Sequence, residues 1–308
     1  MSDLDFCLIT PSYKSDFARC RLLCESIDQF SLVALHHYVI VDRRDFKLFQ
    51  QLETSTRAVL TVESILPWWI HNIPLIRNGW FSFKTLPVRN WLIQQIVKLE
   101  IANHIQEKVL VFVDSDVTFI RPFDIRDLII DERVKLYRES TPLSDWQPAL
   151  SAQWCKWRNS ATSLLDLPAF PEYSDSYPVV NYVGNFIIWK RDNVLQLHRH
   201  IEKVTRRSWI ESVVKQWYCS EYMLYGIFVD CILQEKSGHY WDSRKVSHDY
   251  WDAKPLTEIE LEQFFADIPS ELFAVMVSAK ADIPVNHYQS FIEQMYLEWT
   301  CVKPNLTV

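Results

Sequence analysis

The chain has 308 residues, 48% hydrophobic and 23% charged, a globular composition with enough apolar content for a large core. Its formal net charge of −7 argues against a partner held by bulk attraction, whether nucleic acid or anionic lipid, and points to a small ligand. Only four glycines are present, and neither G-x-G-x-x-G nor G-x-x-x-x-G-K-[ST] occurs, so the glycine-rich phosphate loops are excluded.

The first strand reads "DFCLIT" (Asp5 to Thr10), and Ser15 and Asp16 mark the start of a helix with Leu23, Ile27 and Phe30 on one face. "HHYVIVD" (His36 to Asp42) is a second strand, a helix follows near Asp45 to Leu52, and "AVLTVES" (Ala58 to Ser64) is a third strand. Residues 67–84 form an aromatic loop whose "PWWI" has the character of a peripheral membrane contact. A helix is expected over 87–105 with Pro87 at its first position, an apolar face, and a polar stripe of Asn90, Gln94 and Lys98.

"VLVFVDSDVTFIRPF" (Val109 to Phe123) then reads as a buried strand running into Asp114-Ser115-Asp116, with a short strand at Val117 to Ile120 and another at Val134 to Glu139. A loop-rich Trp/Pro region covers 141–180, and "GNFIIWK" (Gly184 to Lys190) is a core strand. Helices are expected at 192–205 and 220–233, a polar aromatic loop at 237–252, a helix at 258–265, a strand at Leu272 to Ala279 and a last helix at 288–299. Strands alternating with helices imply an α/β fold with a mixed, mostly parallel sheet flanked by helices. No linker divides the chain, so the expectation is a single domain.

Seven cysteines without a C-x-x-C pair signal neither a disulfide framework nor a thiolate zinc site. The apolar run at the N-terminus is too short for a signal peptide, and no stretch approaches ~20 uninterrupted apolar residues. The expectation is a cytoplasmic, reduced protein.

Ligands of open α/β sheets gather beyond the carboxyl ends of the strands, where Asp114 and Asp116 fall. Paired hard oxygen donors suit Mg2+ or Mn2+, which keep waters and share coordination with substrate phosphates. A D-x-D after a strand is also a common turn or cap. "VFVDSDVT" resembles the motif of haloacid-dehalogenase-like phosphatases, which implies Asp114 as nucleophile and Asp116 as acid/base. The later Gly-Asp of that class is missing, since none of Gly184, Gly226 or Gly238 is followed by Asp.

From the first strand through "DSDVTFIRPF" to "GNFIIW", the chain resembles the GT-A glycosyltransferases. It is most similar to uncharacterised bacterial members carrying a W-x-x-Q-Q-x-x-K-L helix, here "WLIQQIVKL" (Trp91 to Leu99), and an S-E-Y-x-x-Y-G helix start, here "SEYMLYG" (Ser220 to Gly226). The resemblance implies a Rossmann-like nucleotide-sugar-binding half (1–125), an acceptor-side half with the C-terminal helices (126–308), a nucleoside-diphosphate sugar donor, and a glycan or other hydroxyl acceptor. It places Mg2+ or Mn2+ on Asp114 and Asp116, with Asp114 and Ser115 also at the donor. It brings Thr10, Tyr13 and Asp42 to the base and ribose, and Lys84, Gln95 and Lys98 to the diphosphate or donor sugar. Gly184 and Asn185 fall where related enzymes carry a turn that receives that sugar, although here the asparagine Asn181 stands three residues before the glycine instead of two. His287 is a third metal-ligand candidate, without the H-x-x-G-x-x-K-P-W pattern of the retaining galactosyltransferase-like group. Glu221 is the candidate catalytic base, against its plain reading as a helix-dipole partner. The remaining alternative is a catalytically inactive GT-A-like module that binds glycan or protein.

Overall fold

The computed structural model describes residues 5–73, 76, 79–85, 87–145, 148–172 and 178–302. Strand β1 (Phe6–Pro11) is followed by a 3-10 turn and α1 (Phe17–Phe30), then by β2 (His36–Val41) and β3 (Arg57–Thr61). Helix α1 forms because Cys20, Leu23, Cys24, Ile27 and Phe30 recur at the 3–4 spacing that puts them on one buried face. Next come α2 (Asn90–Glu100), β4 (Val109–Val113), β5 (Val117–Phe119), β6 (Arg133–Tyr137) and α3 (Pro148–Leu165). The second half of the chain adds β7 (Phe186–Lys190), α4 (Arg191–Thr205), α5 (Trp209–Val214), α6 (Glu221–Phe228), β8 (His239–Asp242) and β9 (Ser247–Tyr250). Helix α7 (Glu258–Ala266), β10 (Ala274–Val277) and α8 (Gln289–Val302) follow.

The central sheet is mostly parallel, flanked by helices, with strand order β7-β4-β1-β2-β3. All five residues of β4 are buried, as a strand covered on both faces requires. The order of strands turns round between β1 and β4, because β2 and β3 lie to one side of β1 and the later strands to the other. A smaller sheet pairs β9 with β10 in parallel and β10 with β5 antiparallel.

The chain forms two compact units: Met1–Cys7, Leu60–Phe112 and Leu128–Ser243 in one, and Leu8–Val59, Val113–Asp127 and Arg244–Val308 in the other. They interleave along the sequence. In the second unit, Leu22, Ile120, Leu261, Phe265, Val275 and Ile292 belong to one buried cluster. In the first, Trp189 stacks on Tyr225 at 4.6 Å between ring centroids and meets the edge of Phe112.

Several local expectations are corrected. Strand β3 stops at Thr61 because the Thr61 hydroxyl caps a helical turn, Val62–Ile65, through Ser64 N–H. The aromatic loop contains two paired strands, Ile70–Asn72 and Gly79–Ser82. Pro87 does not open a helix, since Val88 and Arg89 pair with Trp80 and Gly79 and α2 begins only at Asn90. The region read as a loop over 141–180 holds α3, whose buried side includes Arg158 and Thr162 beside Trp154, Ala161 and Leu165; polar residues on the inner face blur the helical period. The loop at 237–252 supplies β8 and β9, each paired in parallel with a distant strand.

His239 on β8 is buried between the carbonyl of Val134, 2.9 Å from Nδ1, and the Tyr225 hydroxyl, 2.7 Å from Nε2. Burial pulls its pKa from 6.5 down to about 4. The unfolded chain therefore takes up a proton that the folded chain refuses, and stability is lost as pH falls from about 6.5 toward about 4. Thermal melts of His239→Gln across that window should lose a pH dependence worth about 3 kcal/mol in the wild type. An unchanged slope would show that the imidazole is not what titrates.

Candidate functional site

Strand β4 ends at Val113, and Val117 N–H donates to Asp114 O at 3.1 Å, closing a tight turn over Asp114-Ser115-Asp116. Ser115 is buried, while Asp114 and Asp116 are half-buried. Oδ2 of Asp116 accepts from Ala279 N–H at 2.9 Å, just beyond the end of β10. A second carboxylate lies nearby. Asp16 precedes α1 but makes no capping hydrogen bond; it is buried and accepts from the Tyr13 and Ser115 hydroxyls. Arg19 stands between the acids and the C-terminal segment, with Nη1 3.6 Å from Asp16 and Nη2 donating to Ile283 O at 2.9 Å, and it hydrogen-bonds the buried Tyr288.

Both carboxyls are pushed above the usual range. Burial is the main cause at each, and at Asp116 the charge of Asp16 adds to it, while the Ala279 N–H and Arg19 oppose the shift. Hard oxygen donors whose mutual repulsion is only partly offset by one guanidinium fit a divalent cation that completes its shell with water and phosphate oxygens. The protein alone does not supply a full ligand set: among the described residues no group of three or more His, Cys, Asp and Glu is placed to hold a metal. His287, the expected third ligand, is exposed on the turn Val285–His287 and joins no such group.

The other donor-side candidates are placed as follows. Thr10 is fully buried, its hydroxyl 3.0 Å from His37 Nε2, so it faces the core. Tyr13, at the carboxyl end of β1, is 43% exposed and open to a ligand. Asp42 is tied to Arg44: its Oδ1 accepts from the Arg44 backbone N–H and Nε, each at 2.9 Å, and its Oδ2 from Nη2 at 2.7 Å. Burial raises this carboxyl, but those bonds and the charge outweigh it and hold the pKa below the usual range. This is the turn-residue role.

In the other unit, Lys84 lies over the Trp69 ring at 5.0 Å. Asn185 is buried and Gly184 half-buried, directly before β7. Asn181 builds a local turn, with Oδ1 accepting from Val183 N–H and Nδ2 donating to Glu139. Gln95, Lys98 and Glu221 come together. Lys98 Nζ is 3.0 Å from Glu221 Oε1 and donates to Tyr222 OH at 2.8 Å, and Gln95 Oε1 accepts from the Glu221 N–H. Glu221 is 1% exposed. A carboxylate so enclosed joins α2 to α6, and a general base must reach the proton it removes. Its position gives the expected base role no support. Lys98 likewise belongs to a buried ion pair and not to a solvated stripe, whereas Gln94 is exposed as expected.

Asp16, Arg19 and Tyr288 were not marked from the sequence as site residues. An aspartate opening a helix reads as a cap, and only the missing cap bond reveals another use. Two tests follow. Lys98→Met leaves a buried carboxylate uncompensated and should cost about 3–5 kcal/mol in urea unfolding, with Lys98→Met/Glu221→Gln recovering much of it; additive losses would mean the pair is not coupled. For Asp116, a folded-state pKa above the unfolded one means the ionised group costs stability at neutral pH, a cost that vanishes as pH falls through the folded pKa. Asp116→Asn, which keeps an oxygen for Ala279 N–H, should melt above wild type at pH 7 and level with it in acid; a lower melting point at pH 7 would contradict this.

A family model described as "Family of unknown function (DUF6492)" matches residues 4–299. No curated protein matches the chain. Because that model spans nearly the whole sequence, the chain belongs to the DUF6492 family.

Proposed function

We propose that this protein is a metal-dependent glycosyltransferase that moves a sugar from a nucleoside-diphosphate sugar to an acceptor hydroxyl. The observation that carries the reading is the acidic turn Asp114-Ser115-Asp116 at the carboxyl end of β4, beside the end of β1, where the strand order turns round. Crevices at such points are where open α/β sheets take nucleotides. Asp114 and Asp116 would hold Mg2+ or Mn2+, which when bound supplies Lewis-acid compensation for charge on the departing diphosphate. Asp16 keeps Ser115 in place through its hydroxyl and raises the local negative charge. Tyr13, exposed beyond the end of β1, would pack against a nucleobase. Arg19 links Asp16 to the 283–288 segment through its contacts with the Ile283 carbonyl and Tyr288. The donor contacts thus fall on Tyr13, Asp114 and Asp116, not on Thr10 or Asp42.

A second reading is a nucleotide-sugar or glycan-binding module without turnover, and the burial of Glu221 in its ion pair favours it. Neither reading depends on where in the cell the chain works; among the described residues no helix is long and apolar enough to cross a membrane.

Calorimetric titration with UDP and GDP, with and without Mn2+, is the first test. One nucleotide should bind only with the metal, and Asp116→Ala should lose that binding together with nucleotide-sugar hydrolysis. Metal-dependent binding without transfer or hydrolysis would leave the binding module. No metal-dependent binding, or a phosphoryl group trapped on Asp114, would overturn the proposal, the latter in favour of a phosphatase.

A further inference from the structure

The unit formed by Met1–Cys7, Leu60–Phe112 and Leu128–Ser243 exposes a cluster of aromatic side chains with no part in the reading above. Its base is a small sheet of three antiparallel strands, Ile70–Asn72, Gly79–Ser82 and Val88–Arg89. The register decides which residues share a face. His71 pairs with Phe81 and Gly79 with Arg89, while Ile70 pairs with Ser82 and Trp80 with both Asn72 and Val88. Ile70, Trp80, Ser82 and Val88 are buried, so that set packs inward. His71, Phe81 and Arg89 are exposed, so theirs is the outer face.

Phe83 continues the outer face. Its N–H donates to Trp69 O at 2.9 Å, just beyond the paired residues, and its ring lies edge-on to His71 and to Phe81, each at 5.2 Å between centroids. Phe83 is 65% exposed. A turn closed by Ile70 N–H on Pro67 O carries Trp68, which is 76% exposed. At the opposite edge of the sheet Arg89 lies 4.6 Å from the centre of the Trp217 ring, and Trp217 is 68% exposed. Soluble proteins rarely leave such aromatic surface in water, and where they do it marks a contact with something else.

The charges at this face select what it meets. Three cations sit over its rings: Lys84 over Trp69 at 5.0 Å, Arg89 over Trp217, and Lys156 of α3 over Tyr218 at 4.6 Å. None of them has a carboxylate partner among the described residues, although the chain as a whole carries a formal charge of −7. A glycan needs acceptors for its hydroxyls, whereas lysine and arginine only donate, and the outer positions His71, Gly79, Phe81 and Arg89 include neither a carboxylate nor a carboxamide. A second copy docked about a two-fold axis would bring one set of cations against the other. An anionic bilayer suits both features: aromatic rings settle at the level of the headgroups, and lysine and arginine beside them meet the phosphates.

We propose that this face docks on an anionic lipid surface, with Trp68, Phe81, Phe83 and Trp217 entering the headgroup region and Lys84, Arg89 and Lys156 against lipid phosphates. The attachment is peripheral, since among the described residues no helix is long and apolar enough to cross a membrane. The inference rests on this unit's residues alone and stands whether or not the donor reading does.

Flotation of the full chain with vesicles tests it. Phosphatidylcholine vesicles containing phosphatidylglycerol should carry the protein, and vesicles of phosphatidylcholine alone should carry several-fold less; added salt should narrow the difference. Lys84→Gln/Arg89→Gln should lower partition into the anionic vesicles by about 25-fold, about fivefold for each cation removed. Trp68→Ala and Phe83→Ala should each lower it by on the order of tenfold, as expected for an aromatic side chain that leaves water on binding. Both positions are exposed, so the melting temperatures of these variants should match the wild type. Asp116→Asn, which bears on the donor reading, should float as the wild type does. No flotation with anionic vesicles, equal partition into neutral ones, or wild-type partition by both the charge and the aromatic variants would overturn the proposal. So would a concentration-dependent dimer in sedimentation equilibrium that Phe83→Ala dissociates without changing flotation, which would assign the face to a second copy.

Discussion

One hydrogen bond ties the acidic turn to a distant part of the chain. Asp116 accepts from the backbone N–H of Ala279, 163 residues further on, and thereby fastens the loop after β4 to the end of β10. Strand β5, which begins directly after Asp116, pairs antiparallel with β10, so the ladder and the carboxylate bond fix the same junction. A carboxylate that accepts from a backbone N–H is rigid, and one that burial pushes toward its neutral form is under electrostatic strain. Asp116 is both, which is the condition in which a cation has most to offer.

The molecule places its other charges differently. Lys98 and Glu221 lie in the interior of the first unit as an ion pair, with Lys98 also donating to the Tyr222 hydroxyl and the Glu221 N–H to Gln95. Such a pair contributes little net stability but penalises the loss of either partner, because the survivor is left as an uncompensated charge. It holds α2 against α6 in a defined register. Arg57 does the same in the second unit, bonding His37, the Cys24 carbonyl and Asp28. These networks specify packing. The Asp16–Asp116 group differs from them because it brings like charges together that Arg19 offsets only in part.

Elements with strong local signals were legible. β1, β2, β4, β7 and α4 lie within a residue or two of their expected bounds, since each carries a clean apolar run or a helical period with a turn signal beside it. Helix α3 and strands β8 and β9 were not, because their pattern depends on what they face: α3 buries Arg158 and Thr162, and β8 and β9 are polar and aromatic with distant parallel partners. At the site, Asp114 and Asp116 could be placed at a strand end from sequence. Asp16 and Arg19 could not, since a helix-opening aspartate has a commoner explanation.

The sequence by itself determined that a buried strand ends in paired aspartates and that the chain folds as alternating strands and helices, because both follow from residue order over a few positions. Tertiary structure alone decided which charges meet. Lys98 reaches Tyr222 across 124 residues and Asp116 reaches Ala279 across 163, and no local pattern encodes such a pairing. Whether a carboxylate is a strained site or a satisfied strut depends on its desolvation and its partners, and both are properties of the folded chain.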